Sequence, residues 1–371
     1  MSKTVVILGG SYAGLHIAHA LLKNEKDLKV VLVSKNSHFY WNIASVRAII
    51  PGIIKDEELF GSIEKALSRY PKDRYEFIVG GATASDFAAK TVTVTTKDGA
   101  EKQLSYDHLV LATGARCAGA ESVPWKAAGT YEEAVELLHA TQERVKAAGH
   151  FVVAGAGSTG VEAAAELGFE YGKDREVVLL CSDREVLGGD SIASNALAEL
   201  KKLNVKVRTE ARVESAARLP DGKTEIKLAG GGDPIVTDVY LPTFGLAPNS
   251  EFVDAKYLTD KKYASIDAEY RVKGAENVWA AGDIVSQPRA GFMITQKQAA
   301  GVAKNIGLVA SGKQPTPVKL LPFDIYAVAT GRSRGAGRAG SVKLLSFMVY
   351  MAKGKTLAVE RMAGYIDGSV A

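Results

Sequence analysis

The sequence predicts an α/β chain: two doubly wound parallel-sheet units, the first interrupted by the second, followed by a short C-terminal α+β segment. Three observations predict it. A strand, glycine turn, helix, strand grammar begins at Thr4 (TVVILGGSYAGLHIAHALLKNEKDLKVVLVSK) and recurs from Phe151 (FVVAGAGSTGVEAAAELGFEYGKDREVVLLCSD). Each repeat reads as a right-handed βαβ unit. Of the 371 residues, 47% are hydrophobic and 24% charged, ordinary globular proportions that exclude disorder, collagen-like repeats and a disulfide-dense mini-protein.

The elements follow in order. Between the repeats, KTVTVTTKDGAEKQLS reads as a hairpin turning at Asp98-Gly99, and His108 to Ala112 as a buried strand ending at Thr113-Gly114. After the second repeat come a hairpin around Asp221-Gly222, then DVYLPTFGLAPN, whose turn-rich Gly245 to Asn249 marks a crossing between units. NVWAAGD is a further strand, and a helix is expected from about Phe292 to Leu308. The expected division is residues 1–117 and 246–315 for the first domain, 118–245 for the second and 316–371 for the tail.

Charge and cysteine usage narrow the function. A net charge of +4 is too mild to make nucleic acid the leading partner. The excess sits in the tail, where Pro317 to Ala371 holds eight Lys/Arg against three Asp/Glu. The two cysteines, Cys117 and Cys181, lie far apart, with neither C-x-x-C nor metal-ligand spacing. No metal site is expected. The histidines show no metal spacing either; His16 and His19 are expected as surface or packing residues. The chain enters a strand pattern directly after Met1-Ser2-Lys3, leaving no room for a targeting segment, and Ser2 is incompatible with N-myristoylation. A cytoplasmic protein, at most peripheral on a membrane, is expected.

The glycine turns carry the chemistry. In a GxGxxG turn the first glycine makes the bend, the second lets backbone N–H groups approach a pyrophosphate, and the third lets helix pack on strand. The second repeat supplies Gly155, Gly157 and Gly160; the first supplies Gly9 and Gly14 with Ser11 in the middle. Two such turns, each between a strand and a helix, predict two Rossmann-like dinucleotide-binding domains.

The ordered motifs VVILGGSYAG, LVLATGA, VVAGAGSTGVE, FGLAPN and NVWAAGD resemble the two-dinucleotide-domain flavoproteins, which include disulfide reductases, type II NADH dehydrogenases and apoptosis-inducing-factor-like proteins. The stretch HFYWNIASVRAIIPG and the short tail look most like the ferroptosis-suppressor branch. The resemblance implies FAD on the first turn (Gly9, Gly10, Ser11, Tyr12, Ala13, Gly14) and NADH or NADPH on the second (Gly155, Gly157, Ser158, Thr159, Gly160). It implies that Gly282-Asp283 accepts hydrogen bonds from the ribitol side and that Ala112, Thr113, Gly114 and Gly245 belong to the crossover. Asn42 and Arg47 fall in the flavin-adjacent segment, and Glu162 matches an acidic position near the nicotinamide. Its plainer reading is an acid near a helix N-terminus. Where the family carries an acid to hold each ribose, this chain has Ser34-Lys35 and Cys181-Ser182. The reductant preference therefore stays open.

Hydride transfer between two cofactors needs no protein nucleophile. The vicinal cysteine pair of the disulfide reductases is absent, so the resemblance implies a quinone-like acceptor. Trp41, with Phe39 and Tyr40, is expected either to line a quinone slot or to sit in the core. His38 is a candidate for quinone protonation, and Lys297, in the helix after Asp283, a candidate for stabilising reduced flavin. Other acceptors, such as ferredoxin or oxygen, and a redox-dependent signalling or nucleic-acid-binding protein are the competing readings. Val342 to Lys353 is expected as a helix packed over the flavin lobe or in a dimer interface, with a basic-flanked interfacial helix on a membrane as the alternative.

Overall fold

In the computed structural model, which describes residues 2–117, 123–126, 129–285, 287 and 289–371, the strand Lys3–Leu8 lies at the middle of a seven-stranded sheet. Its run of β-branched residues is buried on both faces, as a central parallel strand must be. Leu28–Ser34 and Tyr75–Asp86 continue the parallel sheet on one side, and His108–Leu111 and Val278–Ala280 on the other. The antiparallel pair Thr91–Thr96 and Glu101–Ser105 forms one edge, turning where Asp98-Gly99 predicts. A second, four-stranded parallel sheet runs in the order Val205–Arg208, Glu176–Leu180, His150–Ala154, Val239–Pro242. The hairpin around Asp221-Gly222 belongs to a three-stranded antiparallel sheet beside it.

The repeat is visible at the level of single atoms. Gly9 has φ +110, and a Cβ there would sit 2.2 Å from the Ala112 carbonyl oxygen. Gly14, on the helix Tyr12–Asn24, comes so close that a Cβ would lie 1.7 Å from the Gly9 oxygen; at Gly160 and Gly155 the corresponding distance is 1.8 Å. Both helices press their first turns against the strands that feed them, which no larger residue permits. Two short strands, Ala115–Cys117 and Leu246–Pro248, pair antiparallel where the chain crosses between the sheets. Asn249 locks that crossing: its Nδ2 donates to the Thr113 carbonyl (2.8 Å), while the Thr113 hydroxyl donates to the Asn249 carbonyl (2.6 Å). The expected boundary at 117/118 meets residues 118–122, outside the described residues.

The tail departs from expectation. The strands Ile325–Thr330, Arg334–Ala339 and Val342–Leu344 form an antiparallel sheet. Within Val342 to Lys353 only Ser346–Val349 is α-helical, running on into a wider turn over Tyr350–Gly354. The expected helix from Val342 to Lys353 is thus strand first and helix second. The glycines of RGAGRA explain it: Gly335 and Gly337 leave room for Val349, whose methyls would otherwise stand 2.5 and 2.8 Å from their Cβ atoms. Val349 is buried against the tail's own strand at Gly335 and Gly337, whereas Leu345 (63%), Phe347 (56%) and Met351 (61%) face outward, so the inner face of this helix packs on the tail sheet and not over the flavin lobe. The tail arginines are not uniformly solvated either: Arg332 pairs with Glu166 and Glu170, and Arg338 with Asp190 and Asp324.

One buried ionic cluster joins all three parts. Arg47, predicted to lie against the flavin, is turned away from it and buried. Its Nε and Nη2 donate to Glu166 Oε1 (2.9 and 2.7 Å), and its remaining N–H groups reach the carbonyls of Gly354 and Lys355 (2.7 and 2.9 Å). A buried charge stripped of its partner is costly, so Arg47→Met is expected to destabilise the protein by about 3 kcal/mol. Arg332→Met, at a more exposed partner of the same carboxylate, is expected to cost less. Thermal unfolding of the FAD-saturated variants reads both.

Candidate functional site

The glycine turns open into one continuous cleft of about 1620 Å³. The first turn contributes Gly9, Gly10, Ser11, Tyr12 and Ala13, the end of the next strand Ser34 and Lys35, and the following loop His38, Trp41 and Asn42. Ala112, Thr113 and Gly114 line it from the crossover, Gly157, Ser158, Thr159 and Glu162 from the second unit, and Gly282 and Asp283 from the strand end. Gly14, Gly155 and Gly160 stand behind the cleft as the packing glycines of the turns. Most of the sequence-predicted residues therefore converge. Arg47 does not, nor does Gly245, an exposed turn residue between the cleft-lining neighbours Thr243 and Leu246. Lys297 also fails to converge: on the helix Phe292–Ala310 it points to solvent. One residue further round, Gln298 points inward and accepts a hydrogen bond from the Gly282 N–H at 2.8 Å.

The residues present fit two dinucleotides. A Cβ on Gly157 would meet nothing within 4 Å, so the protein itself leaves that space open at the N-terminus of the helix Ser158–Tyr171. Free N–H groups and the helix dipole make it a place for a pyrophosphate. The N-terminus of Tyr12–Asn24 offers the same to FAD. Asp283 is partly buried and ion-paired with Lys126. Lys126 is delivered there by Trp125, whose Nε1 donates to the Pro242 carbonyl (3.2 Å) and whose own carbonyl accepts from Asn42 (2.7 Å).

Glu162 is buried in the cleft wall, where its carboxylate accepts from the Ala329 N–H (2.9 Å) and from Lys353. Lys353 also donates to the Ala327 carbonyl at 3.0 Å. Sequence reasoning placed Lys353 at the end of the tail helix and missed this role; it missed Lys126 and Gln298 as well. The aromatic segment is core with one edge on the cleft. Phe39 and Trp41 are fully buried, Trp41 donates to the Leu357 carbonyl at 2.9 Å, and Tyr12, Trp41, Phe292 and Tyr365 pack edge to face around one another. His38 stacks on Tyr131 with 3.8 Å between ring centroids, and partial burial holds its pKa below the ordinary imidazole value. That shift works against the charged form that would donate a proton. His16 and His19 are buried in the first helix, where desolvation lowers both to about 4. At the end of the second unit's second strand, the buried Cys181 thiol donates to the Glu185 carbonyl at 3.4 Å. No carboxylate stands at that strand position. Among the described residues, no group of three or more His, Cys, Asp or Glu side chains is arranged to hold a metal ion.

Two substitutions test the assignment of the two turns. Asp283→Ala should purify mostly free of flavin, as read by the ratio of visible to protein absorbance; full occupancy would sever Asp283 from FAD. A Cβ at Gly157 has open space in the folded chain, so Gly157→Val is expected to keep the fold and to obstruct the nucleotide. It should keep FAD and lose flavin bleaching by NAD(P)H, whereas bleaching at the wild-type rate would make the second turn purely structural.

Comparison with known proteins bears on the same residues. The family model of pyridine nucleotide-disulphide oxidoreductases matches residues 3–304. The chain is 42% identical to the oxidoreductase ptaL of Pestalotiopsis fici, over 99% of this chain and 100% of that protein. It is 26% identical to the human ferroptosis suppressor protein 1, over 96% and 93% of the two chains. The sulfide:quinone oxidoreductase of Aquifex aeolicus superposes with a TM-score of 0.79 at 20% identity, covering 100% of this chain and 93% of that one, which shows a shared fold. The chain belongs to the pyridine nucleotide-disulphide oxidoreductase family and is a flavin-dependent NAD(P)H oxidoreductase of that class.

Proposed function

We propose that the chain is an NAD(P)H:quinone oxidoreductase of the ferroptosis-suppressor branch, with FAD and nucleotide domains divided at 117/118, 245/246 and 315/316. The observation that carries the acceptor is the apolar mouth of the cleft. Met293 (39%) and Phe323 (49%) are large apolar side chains exposed on its lining, with Leu320 and Leu321 beside them. Exposed apolar surface at a cleft suits a flat apolar ligand. The cysteines support the same reading. Cys117 lies on the crossover strand and Cys181 directly after the strand Glu176–Leu180, and burial raises both thiols above their ordinary pKa. They offer neither a vicinal pair nor a ready thiolate.

Bound in the cleft, FAD supplies hydride acceptance from NAD(P)H and delivery of two electrons to the acceptor. The chain's own residues hold and orient. The backbone from Gly9 to Ala13 faces one pyrophosphate and Gly157 to Thr159 the other; Asp283 receives ribitol hydroxyls. The first turn of Phe292–Ala310 aims a helix N-terminus into the cleft, worth up to about 1–2 kcal/mol toward accumulating negative charge. Lys353, pinned between Glu162 and the Ala327 carbonyl, completes a fixed ion pair on the wall.

The partners in this reading are a quinone-like small molecule and, through the outward Leu345, Phe347 and Met351, a peripheral membrane surface or a second copy of the chain; no specific nucleic acid is assigned. No helix among the described residues is long and apolar enough to cross a membrane. A cytoplasmic location with peripheral membrane contact is part of the proposal. With a short-chain soluble quinone, steady-state rates should give parallel double-reciprocal lines, and Cys117→Ser with Cys181→Ser should stay within severalfold of wild type. Faster turnover with ferredoxin or oxygen than with quinone would overturn the acceptor, and loss of turnover in the FAD-replete double variant would expose a thiol relay.

A further inference from the structure

Tyr326 stands on the first tail strand, in the cleft beside Ser158 at the start of the dinucleotide helix and Glu162 one turn on. It is separate from the aromatic cluster around Tyr12 and Trp41. Its ring is held by two guanidiniums, Arg289 at 4.8 Å and Arg338 at 5.9 Å from the centroid. Neither is free to drift. Arg289 donates to Asp324 (2.7 Å) and to the Ile325 carbonyl (3.1 Å). Arg338 holds both Asp190 oxygens, Oδ1 through Nε (3.0 Å) and Oδ2 through Nη2 (2.8 Å), and reaches Asp324 at 2.9 Å. Asp190 follows the turn Val186–Gly189, in which the Leu187 N–H donates to the Ala156 carbonyl within the second glycine turn (2.7 Å). The strand carrying Tyr326 is tied to the same helix at Ala329 and, through Lys353, at Ala327.

A dinucleotide whose pyrophosphate sits at Gly157 to Thr159 must run past Ser158 and Glu162 to bring its nicotinamide to the flavin. Tyr326 is the ring that faces this stretch, and its position is fixed through charged pairs to the turn that holds the pyrophosphate. We infer that Tyr326 is a positioning residue for the reductant: the nicotinamide ring of NAD(P)H lies against the Tyr326 ring, which holds it toward the flavin. This rests on reading the second glycine turn as the NAD(P)H site. The role is stacking rather than acid–base, since burial raises the phenol pKa, with the Ser158 side chain as its polar neighbour. Aromatic packing of this kind depends on the flat ring and survives loss of the hydroxyl.

The test is anaerobic stopped-flow reduction of FAD-loaded Tyr326→Phe and Tyr326→Leu across a range of NADPH and NADH concentrations. Tyr326→Phe should remain within about threefold of wild type. Tyr326→Leu should lose tenfold or more in the limiting rate of flavin bleaching or in nucleotide affinity, together with the long-wavelength charge-transfer absorbance. FAD stoichiometry, reduction by dithionite and kcat/KM for a soluble quinone should not move. A wild-type bleaching rate and charge-transfer band in Tyr326→Leu would overturn the assignment, as would the same result in Arg289→Gln, which unpins the ring, if the leucine variant does not fold. A raised quinone KM with an unchanged nucleotide step would place Tyr326 on the acceptor side and also overturn it. Failure of both nucleotides to bleach the wild-type flavin would instead refute the reading of the second turn.

Discussion

Two carboxylates buried one helical turn apart, Glu162 and Glu166, organise this molecule. Both lie on the helix that begins at the second glycine turn, on the face turned away from solvent. A buried carboxylate must find donors, and these two recruit theirs from other parts of the chain. Glu166 takes Arg47 from the FAD side and Arg332 from the tail; Glu162 takes Lys353 and the Ala329 N–H, both from the tail. The tail sheet is thereby laid along the nucleotide helix and becomes a wall of the cleft. Pairs of this kind contribute little net stability relative to an apolar core, but they admit few alternative arrangements. Here the arrangement they select brings the two helix N-termini and the tail to one opening.

That division of labour suits chemistry carried by cofactors. The chain contributes two glycine turns at helix N-termini, a carboxylate at Asp283, the Lys353–Glu162 ion pair and an apolar rim at Met293 and Phe323. The last part of the chain has two faces. Lys353, Leu357 and Arg361 line the cleft, while Leu345, Phe347 and Met351 look outward. A contact made on the outer face would therefore fall within a few residues of the cleft lining.

Much of the fold was legible because its signals are local. The two glycine turns, the Asp98-Gly99 and Asp221-Gly222 hairpins and the NVWAAGD strand each follow from residues within one short window. The helix predicted over Phe292 to Leu308 spans Phe292–Ala310. The tail misled because VKLLSFMVYMAK has helical apolar spacing, while the glycines that turn the preceding stretch into a strand act only through Val349, packed from outside it. The missed site residues share that character. Lys126, Gln298 and Lys353 acquire their roles from groups 157, 16 and 191 positions away in sequence, and nothing in their neighbours announces it. Arg47 was misplaced for the same reason, since its partner lies on another domain. One signal was available: Glu162 and Glu166 are spaced i,i+4 in VEAAAELG, a helix otherwise too apolar to face water, and so were due for burial with partners.

The account stands on two nucleotides meeting in one cleft that also admits an apolar acceptor. The most direct measurement is the visible spectrum of the purified protein under anaerobic titration with NADH or NADPH, followed by a soluble quinone. The account predicts a flavin spectrum that bleaches on addition of nucleotide and returns in full with one equivalent of quinone. A protein with no flavin absorbance, or one whose bleached spectrum persists in the presence of quinone, would contradict it.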